Sequence, residues 1–158
     1  MTLDQVIDEN APQLKRPASD MVREFHRKFG HPINETPTMP ELDRIYLRLD
    51  LIIEEAQELE DAVHSHDNDL MYDDDVEQLA LKKQASLIEM ADALGDLEYV
   101  IHGMALEIGI PLDNVTKEIH RSNMTKLGEN GEVLYRKDGK VMKGPNYEAP
   151  NLKKVLFG

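Results

Sequence analysis

Two stretches of the sequence carry carboxylates at spacings that place them on one side of a helix. In the first stretch, Glu54 and Glu55 lie four and three residues before Glu58, so the three acids are neighbours on a helix surface. In the second stretch, the acids follow one another at i, i+3 and i+7, which confines them to an arc of roughly 60° on a helical wheel. The second set consists of Glu89, Asp92 and Asp96.

Both sets of acids lie among apolar residues. Leu47 and Leu51 share the arc of the first set, and Val100 and Gly103 share that of the second. A carboxylate on a buried face is costly unless it is paired with a cation or bound to a metal. Two such faces turned toward each other form a pocket of hard oxygen ligands, which suit Mg²⁺ or Mn²⁺ and not Zn²⁺. The pattern predicts a divalent-metal site between two facing helices.

Acids at helical spacing are also typical of a solvated face. Four cations on the same helices could neutralise such acids as ion pairs, namely Arg44, Arg48, Lys82 and Lys83. A single acidic helix would favour this simpler interpretation. Two acidic sets in one chain, each embedded among apolar residues, favour the metal site.

A second charge pattern lies toward the C-terminus, where bases outnumber acids in an otherwise acidic chain. The bases between residues 120 and 145 are Arg121, Lys126, Arg136, Lys137, Lys140 and Lys143, against three acids. A polyphosphate substrate bridged by cations to an acidic pocket needs such bases for its remaining oxygens. The alternative is that Arg121 and Lys126 complement a helix C-terminus and that the other bases favour solubility.

The periodicity of apolar residues predicts four main helices that position these groups. We expect helices over residues 20–29 with Ser19 as N-cap, 40–63 behind a capping box at Thr38, 76–108, and 112–126. The polar run between the second and third helices is expected to break the helix. Two turn dipeptides, at 130–131 and 138–139, predict a small hairpin or ordered loop, and Pro150 precedes a last short helix.

The predicted fold is therefore all-α: one domain over residues 1–158, with an N-terminal arm over 1–18 and an irregular tail over 127–158. The net charge is −13, from 31 acids and 18 bases, which argues against nucleic-acid binding through a broad basic face. The chain has no cysteine, so disulfides and thiolate metal sites are excluded. We expect no membrane partner and a cytoplasmic location, because no apolar run reaches the roughly 20 residues of a span and no signal-peptide pattern is present.

Several of these motifs resemble those of a known family. The two acidic sets resemble the metal-binding pattern of the all-α nucleotide pyrophosphatases, the MazG-like group related to the dimeric dUTPases. Five runs are similar to its phosphoribosyl-ATP pyrophosphatase-like branch: EFHR at 24–27, DALGDLEYVIHG at 92–103, GIP at 109–111, HRSNMTK at 120–126 and DGK at 138–140. The similarity extends over most of the chain, from about residue 21 to residue 150.

The resemblance implies hydrolysis of a nucleoside triphosphate to the monophosphate and pyrophosphate. It also implies Mg²⁺ as the cofactor, with Mn²⁺ as a substitute, and a helical bundle completed by a homodimer or tetramer. By position, Glu55, Glu58 and Asp96 match metal ligands, and Glu54 matches a carboxylate that orients or deprotonates the attacking water. Glu55 therefore counts among both the catalytic and the metal-binding candidates.

One position departs from the pattern of the relatives. Many of them have Glu three residues before the position of Asp96, where this chain has Ala93. The Glu-x-x-Asp spacing occurs one turn earlier, as Glu89 and Asp92, and either residue would have to supply the missing ligand.

The substrate-binding candidates come from the basic segment and from two aromatic residues. They are Arg121, Asn123, Lys126, Lys140 and Lys143, with Phe25 and Tyr99 for the base or sugar unless these two belong to the core. Asn123, Lys126 and Lys140 match the segment that closes on the substrate in relatives. Two alternatives stay open: hydrolysis of phosphoribosyl-ATP at the same metal site, and a helical module that binds metal or nucleotide without turnover.

Overall fold

The computed structural model describes residues 16–72 and 75–158, and their regular structure is entirely helical. This confirms the predicted all-α class. The five helices are α1 (Ala18–Phe29), α2 (Leu42–Tyr72), α3 (Val76–Glu107), α4 (Leu112–Met124) and α5 (Leu152–Phe157). Most of the predicted N-terminal arm lies outside the described residues.

Helix α1 ends as predicted and begins differently. Gly30 stops it in the left-handed conformation, at φ 72°, which glycine adopts at little cost. The predicted cap at Ser19 is wrong, because the helix starts at Ala18 and Ser19 lies in its first turn. The Ser19 hydroxyl instead donates to Asp113 Oδ2 at 2.8 Å and links α1 to the start of α4.

Helix α2 is longer than predicted at its C-terminal end. The polar run from 64 to 72 continues the helix, which stops at Tyr72 and not near Val63. Within this extension Asp69 forms an ion pair with Lys82 of α3, with 3.0 Å between Nζ and Oδ1. A tertiary contact of this kind outweighs the weak local preference of polar residues against a helix. The predicted capping box is also absent, since the Thr38 hydroxyl donates to the Thr36 carbonyl at 2.8 Å.

Helix α3 has nearly the predicted bounds, and hydrogen bonds cap both of its ends. At its start, the Asp75 carboxylate accepts hydrogen bonds from the backbone N–H groups of Glu77 and Gln78. At its end, the backbone N–H of Asn34 donates to the Leu106 carbonyl at 2.8 Å and that of Thr38 to the Ile108 carbonyl at 3.0 Å. The loop that connects α1 to α2 therefore closes the C-terminal end of α3.

The tail folds back on α4. The Ser122 hydroxyl donates to the Glu148 carbonyl at 2.7 Å, and the Asn151 N–H donates to Glu118 Oε1 at 2.7 Å. Between them, an antiparallel bridge joins Tyr135 to Val141, which confirms the predicted small hairpin. Helix α5 follows Asn151, whose side chain caps it, close to the predicted position after Pro150.

Helices α2 and α3 form a long antiparallel hairpin. Its closed end is the connection from α2 to α3, and its open end is where α2 begins and α3 ends. Helix α1 packs on α3 near the open end. Small residues such as Ala62 and Ala93 are buried between the two long helices. Helix α3 is not buried on all sides in the single chain, because Leu87, Ile88 and Leu94 are more than half exposed. No helix in the described part of the chain is both long and apolar enough to span a membrane.

Candidate active site

The two predicted acidic sets face each other across the α2–α3 hairpin. Burial raises the pKa of the Glu55 carboxyl, and the negative charges of Glu58, Asp96, Glu54 and Asp92 raise it further. An influence of this kind requires that the carboxylates of both helices lie close to Glu55. The structure therefore brings together five of the six acids around one side chain.

The sixth acid borders the same region. A cleft of about 370 Å³ is lined by Glu58, Asp61, Ala62, Ser65, Glu89, Asp92 and Ala93. Asp61 was not among the sequence candidates, although it lies one turn after Glu58, a spacing that could have revealed it. The cleft extends the acidic surface toward the closed end of the hairpin.

The departure at Ala93 has a clear structural setting. Ala93 is buried and lines the cleft together with Ala62 of α2. Glu89 and Asp92 both line the cleft beside it. Glu89 lies one turn before Ala93, and Asp92 lies one residue before it.

Three of the four cations that could have neutralised these acids are engaged elsewhere. Arg44 and Arg48 form ion pairs with Glu107, and Lys82 pairs with Asp69. Across residues 16–72 and 75–158, none of the six acids forms a salt bridge or a side-chain hydrogen bond. The ion-pair interpretation of the acidic sets therefore has no support among the described residues.

The oxygens of the six carboxylates are the kind of ligand that a hard divalent cation prefers, but they do not converge on one point in the single chain. Glu55 is half-buried, and the other five acids are exposed. Within the described ranges, no three acid or histidine side chains converge closely enough to hold a metal ion. Opposed carboxylates without cationic partners repel one another, so a bound cation would draw them together. The fit to Mg²⁺ rests on the oxygen donors, their opposition and their missing counter-charges.

A buried network of charged side chains lies at the open end of the hairpin. The Glu107 side chain is only 2% exposed and accepts from Arg48 Nε at 2.7 Å and from Arg44 Nε at 3.1 Å. Burial alone would raise the pKa of Glu107, but hydrogen bonds from the two arginines outweigh it and lower the pKa. The glutamate is therefore held ionised in the interior.

His26 of α1 completes this network. Its Nδ1 lies 3.0 Å from the Pro32 carbonyl, which can only accept, so Nδ1 carries the proton and Nε2 is the acceptor. Arg48 Nη2 lies 3.3 Å from that Nε2. Burial, together with the charge of Arg48, lowers the pKa of His26 against the opposing effect of the Pro32 hydrogen bond. Gly103 leaves the space, since a Cβ there would lie 3.0 Å from Arg48 Nη1 and 3.2 Å from His26 Nε2.

The two aromatic candidates lie in one cluster next to the acids. Phe25 stacks on Phe29 with ring centroids 4.2 Å apart and meets Tyr99 edge-on at 5.7 Å. Tyr99 lies one turn after Asp96 on the acidic side of α3. Phe29 is 67% exposed, so the cluster is a surface feature and not the sealed core that the sequence left open as an alternative.

The basic segment lies on α4 and the tail. Arg121 is engaged within the chain, with ion pairs to Glu118 at 2.9 Å and Glu148 at 2.7 Å. The hydrogen bond from Arg121 and that from the Asn151 N–H hold the pKa of Glu118 at about 2. These contacts fasten the tail to α4.

The other substrate candidates are more open. Asn123 and Lys140 are exposed, Lys126 is half-buried, and Lys143 Nζ lies 4.4 Å from the centroid of the Tyr147 ring. In the described part of the chain, no hydrogen bond or ion pair connects these residues to the six acids. The single chain thus presents the acidic and basic groups separately.

Comparison with known proteins identifies the family of the chain. The family model described as phosphoribosyl-ATP pyrophosphohydrolase matches residues 22–123, which include α1, both acidic sets and nearly all of α4. The chain belongs to this family. The basic residues after Asn123 lie beyond the matched segment.

Two individual proteins are also similar to the chain. An uncharacterized protein of Acanthamoeba polyphaga mimivirus is 38% identical over 118 residues, which are 71% of this chain and 39% of the viral protein. The chain thus spans less than half the length of this curated relative. A crystal structure from Exiguobacterium sp. 255-15, named as a candidate NTP pyrophosphohydrolase, is 24% identical, with a TM-score of 0.42 over 88% of this chain and 92% of that one.

Proposed function

We propose that the chain hydrolyses a nucleoside or deoxynucleoside triphosphate to the monophosphate and pyrophosphate, with Mg²⁺ as cofactor, and so clears unwanted nucleotides from the pool. The observation that carries this proposal is the opposition of two carboxylate sets that have no cationic partner within residues 16–72 and 75–158. Family membership supports the reaction type. Mn²⁺ is expected to substitute, because it accepts the same oxygen ligands.

The roles of the residues follow from their positions. Glu55, Glu58 and Asp96, with Asp92 or Glu89, would hold the cation, which would lower the pKa of a bound water and neutralise charge on the leaving pyrophosphate. Glu54 borders this set and accepts the proton of the water that attacks the α-phosphorus. The bond between that phosphorus and the bridging oxygen to the β-phosphorus then breaks, and pyrophosphate leaves.

The acidic and basic groups would interact with the substrate in different ways, the acids through the cation and the bases directly. Asn123, Lys126, Lys140 and Lys143 would bind phosphate oxygens that the cation leaves free, and Arg121 would contribute if released from its ion pairs. Phe25 and Tyr99, whose rings meet edge-on, would contact the base or sugar. The proposed partners are therefore a nucleotide and a cation, with no nucleic acid or membrane, in the cytoplasm.

The exposed apolar side of the hairpin supports a homo-oligomer, a dimer or a tetramer. Leu87, Ile88 and Leu94 of α3 are 54% to 68% exposed, and contiguous apolar surface of this kind is rare on monomers. Light scattering coupled to gel filtration measures the assembly. A monomer at micromolar concentration would contradict this part of the proposal.

A substrate panel with detection of pyrophosphate tests the activity. We expect at least one common ribonucleotide or deoxynucleotide to be cleaved with Mg²⁺ and none after chelation. As a matched control, Glu60→Gln removes an acid of α2 that points away from the site and contacts only Gln57 in the described chain. It should retain full activity.

The family name favours a second substrate, phosphoribosyl-ATP, which the same site could cleave. Including it in the panel separates the two candidates by their kcat/KM. Binding of nucleotide and Mg²⁺ without release of pyrophosphate would favour a binding module and contradict the enzyme.

A further inference from the structure

The distance between the two acidic sets depends on how α2 and α3 are aligned along their axes. Next to the acids, the fully buried apolar residues of the two helices are small, namely Ala62 and Ala93, and small side chains interlock less than large ones do. A slip of one helical turn moves one helix by about 5.4 Å, and this is enough to separate Glu55 and Glu58 from Asp92 and Asp96. Something else in the hairpin has to fix the alignment.

The Glu107 network joins the two helices in a geometry that tolerates no such slip. Arg48 Nε and Nη2 lie 2.7 and 2.6 Å from Glu107 Oε1, and Arg44 Nη2 lies 2.5 Å from the same oxygen. Arg44 and Arg48 lie on consecutive turns of α2, and both side chains contact one carboxylate of α3. A slip by one turn would leave a buried carboxylate without at least one of its cations, which is strongly destabilising.

A third helix holds the network in place from the side. His26 of α1 is 1% exposed and lies over the Arg48 guanidinium, and Gly103 of α3 makes room for both. A side chain at Gly103 would need the guanidinium to shift. The network is therefore constrained by α1, α2 and α3 together.

The network and the acids lie on the same faces of the two helices. Arg48 precedes Glu55 by seven residues, about 10.5 Å along α2 and within about 20° around it. Glu107 follows Asp96 by eleven residues, about 16.5 Å along α3 and again within about 20°. Because a helix is stiff over such lengths, the alignment set at Arg48 and Glu107 is transmitted to the acids.

We propose that the Arg48–Glu107 pair, with Arg44 and His26, is a positioning device that fixes the alignment of α2 on α3 and so holds the two carboxylate sets opposite each other. The effect on cation binding rests on the function proposed above; the alignment itself does not. The residues act through the helices and touch neither cation nor substrate.

The test replaces the charged pair by apolar residues of similar size. In Arg48→Met with Glu107→Leu, the buried ion pair that specifies the alignment is gone, and apolar side chains refill its site. Arg44 loses its partner as well, but its side chain is 33% exposed and can turn to solvent, so the chain is expected to stay folded. The absence of native cysteine allows spin labels at Glu60→Cys on α2 and Ala91→Cys on α3. Labelled chains are diluted with unlabelled ones so that each distance is measured within one chain.

We expect one narrow distance distribution in the native background and a distribution that broadens, or moves by about one turn, in the double variant. Mn²⁺ affinity, measured by electron paramagnetic resonance of the folded protein, should fall at least tenfold. The kcat for the best substrate should fall more than KM rises. Arg48→Lys, which keeps the charge, should recover part of each loss.

Glu35→Gln is the matched control, because it breaks an exposed ion pair to Arg23 on α1 and should change none of these readouts. An unchanged distance distribution in the folded double variant overturns the proposal, whatever its stability. A changed distribution with native Mn²⁺ affinity also overturns it, since the alignment would not govern the site. If the native chain binds no Mn²⁺ and cleaves no nucleotide, the proposed function fails and the distances alone decide the alignment.

Discussion

Helices α2 and α3 carry acids in two opposite environments. At the open end of the hairpin, Glu107 is almost completely buried, and two arginines hold it ionised. Two to three turns away, Glu55 is surrounded by four other carboxylates, and its pKa is raised by burial and by their charges. The same hairpin thus contains one acid with excess cationic partners and a group of acids with none in the described chain.

The difference separates an acid that stabilises the fold from acids that we propose bind a cation. A buried carboxylate whose cations belong to the chain contributes to the alignment of the helices and needs nothing from solution. Carboxylates that repel one another reduce the stability of the hairpin until a cation binds. Burial alone does not distinguish the two cases; the origin of the counter-charge does.

Breaking the buried side of this comparison should have the largest effect. Glu107→Gln leaves Arg44 and Arg48 without their counter-charge and should lower the free energy of unfolding by about 3–5 kcal/mol. Urea unfolding measures it. Glu35→Gln, in an exposed pair, should stay within about 0.5 kcal/mol of the native chain. Equal effects of the two variants would show that Glu107 is not special.

The same substitution in the acidic group should abolish function and spare the fold. Glu55→Gln removes a proposed ligand of the cation and should lower kcat by about 10²–10³-fold, as the loss of a group that stabilises transition-state charge does. Steady-state release of pyrophosphate measures it, with Glu60→Gln as the control. A Glu55→Gln protein with native kcat would remove this residue from the site.

The loop that closes the end of α3 keeps Glu107 covered, and it requires glycine at one position. Gly109 has φ 66°, and a Cβ there would overlap the Thr36 carbonyl, which adds steric overlap to backbone strain. Gly109→Ala should cost about 2–3 kcal/mol, whereas Gly139→Ala, at φ 81° in open space, should cost about 1 kcal/mol. Thermal unfolding of both variants checks this, and equal costs would mean that the loop yields.

Acid should weaken the buried network. The pKa values of Glu107 and His26 are lowered in the folded chain, so the unfolded chain takes up their protons first as pH falls. The contribution of the two groups to the free energy of unfolding is therefore fully present above about pH 6.5. It declines below that pH as His26 takes up a proton in the unfolded chain, and it declines again below about pH 4.5 as Glu107 takes up a proton there. Urea unfolding without divalent cations from pH 7.5 to 4 measures it. His26→Gln should remove the first decline, and a decline that persists in this variant would have another source.

The smallest effect has the opposite sign. Glu55→Gln removes like-charge repulsion from Glu58 and its neighbours and should raise the free energy of unfolding by a few tenths of a kcal/mol without added metal. Differential scanning calorimetry in the presence of a chelator resolves it. Together with the loss expected for Glu107→Gln, it gives one substitution with opposite consequences at two places on one hairpin. A destabilised Glu55→Gln protein would contradict this distinction.

The sequence predicted the parts of the fold that local patterns determine. The start of α3 at Val76 and the stop of α1 at Gly30 follow from apolar period and glycine geometry, and both are confirmed. The end of α2 was missed because a tertiary ion pair between Asp69 and Lys82 extends a stretch of locally poor helix formers.

The acidic group was predicted, because the spacing of its members on each helix is visible in the sequence. The buried network was not, since Arg48 and Glu107 lie 59 positions apart and nothing local relates them. Sequence reasoning offered Arg44 and Arg48 as partners of the wrong acids. The packing of α2 on α3 assigns them to Glu107.

The length of the α2–α3 hairpin has a consequence for the order in which it forms. Contacts at its closed end join residues close in sequence, such as Asp69 and Lys82, 13 positions apart, whereas those at the open end span about 60. Loop-closure entropy grows with this separation, so the hairpin should zip from the turn, pass through the level of the acids, and reach Glu107 late. The network would then contribute little to the folding transition state, and its loss would accelerate unfolding more than it slows folding. The contacts between the arginines and Glu107 would then be among the last of the hairpin to form.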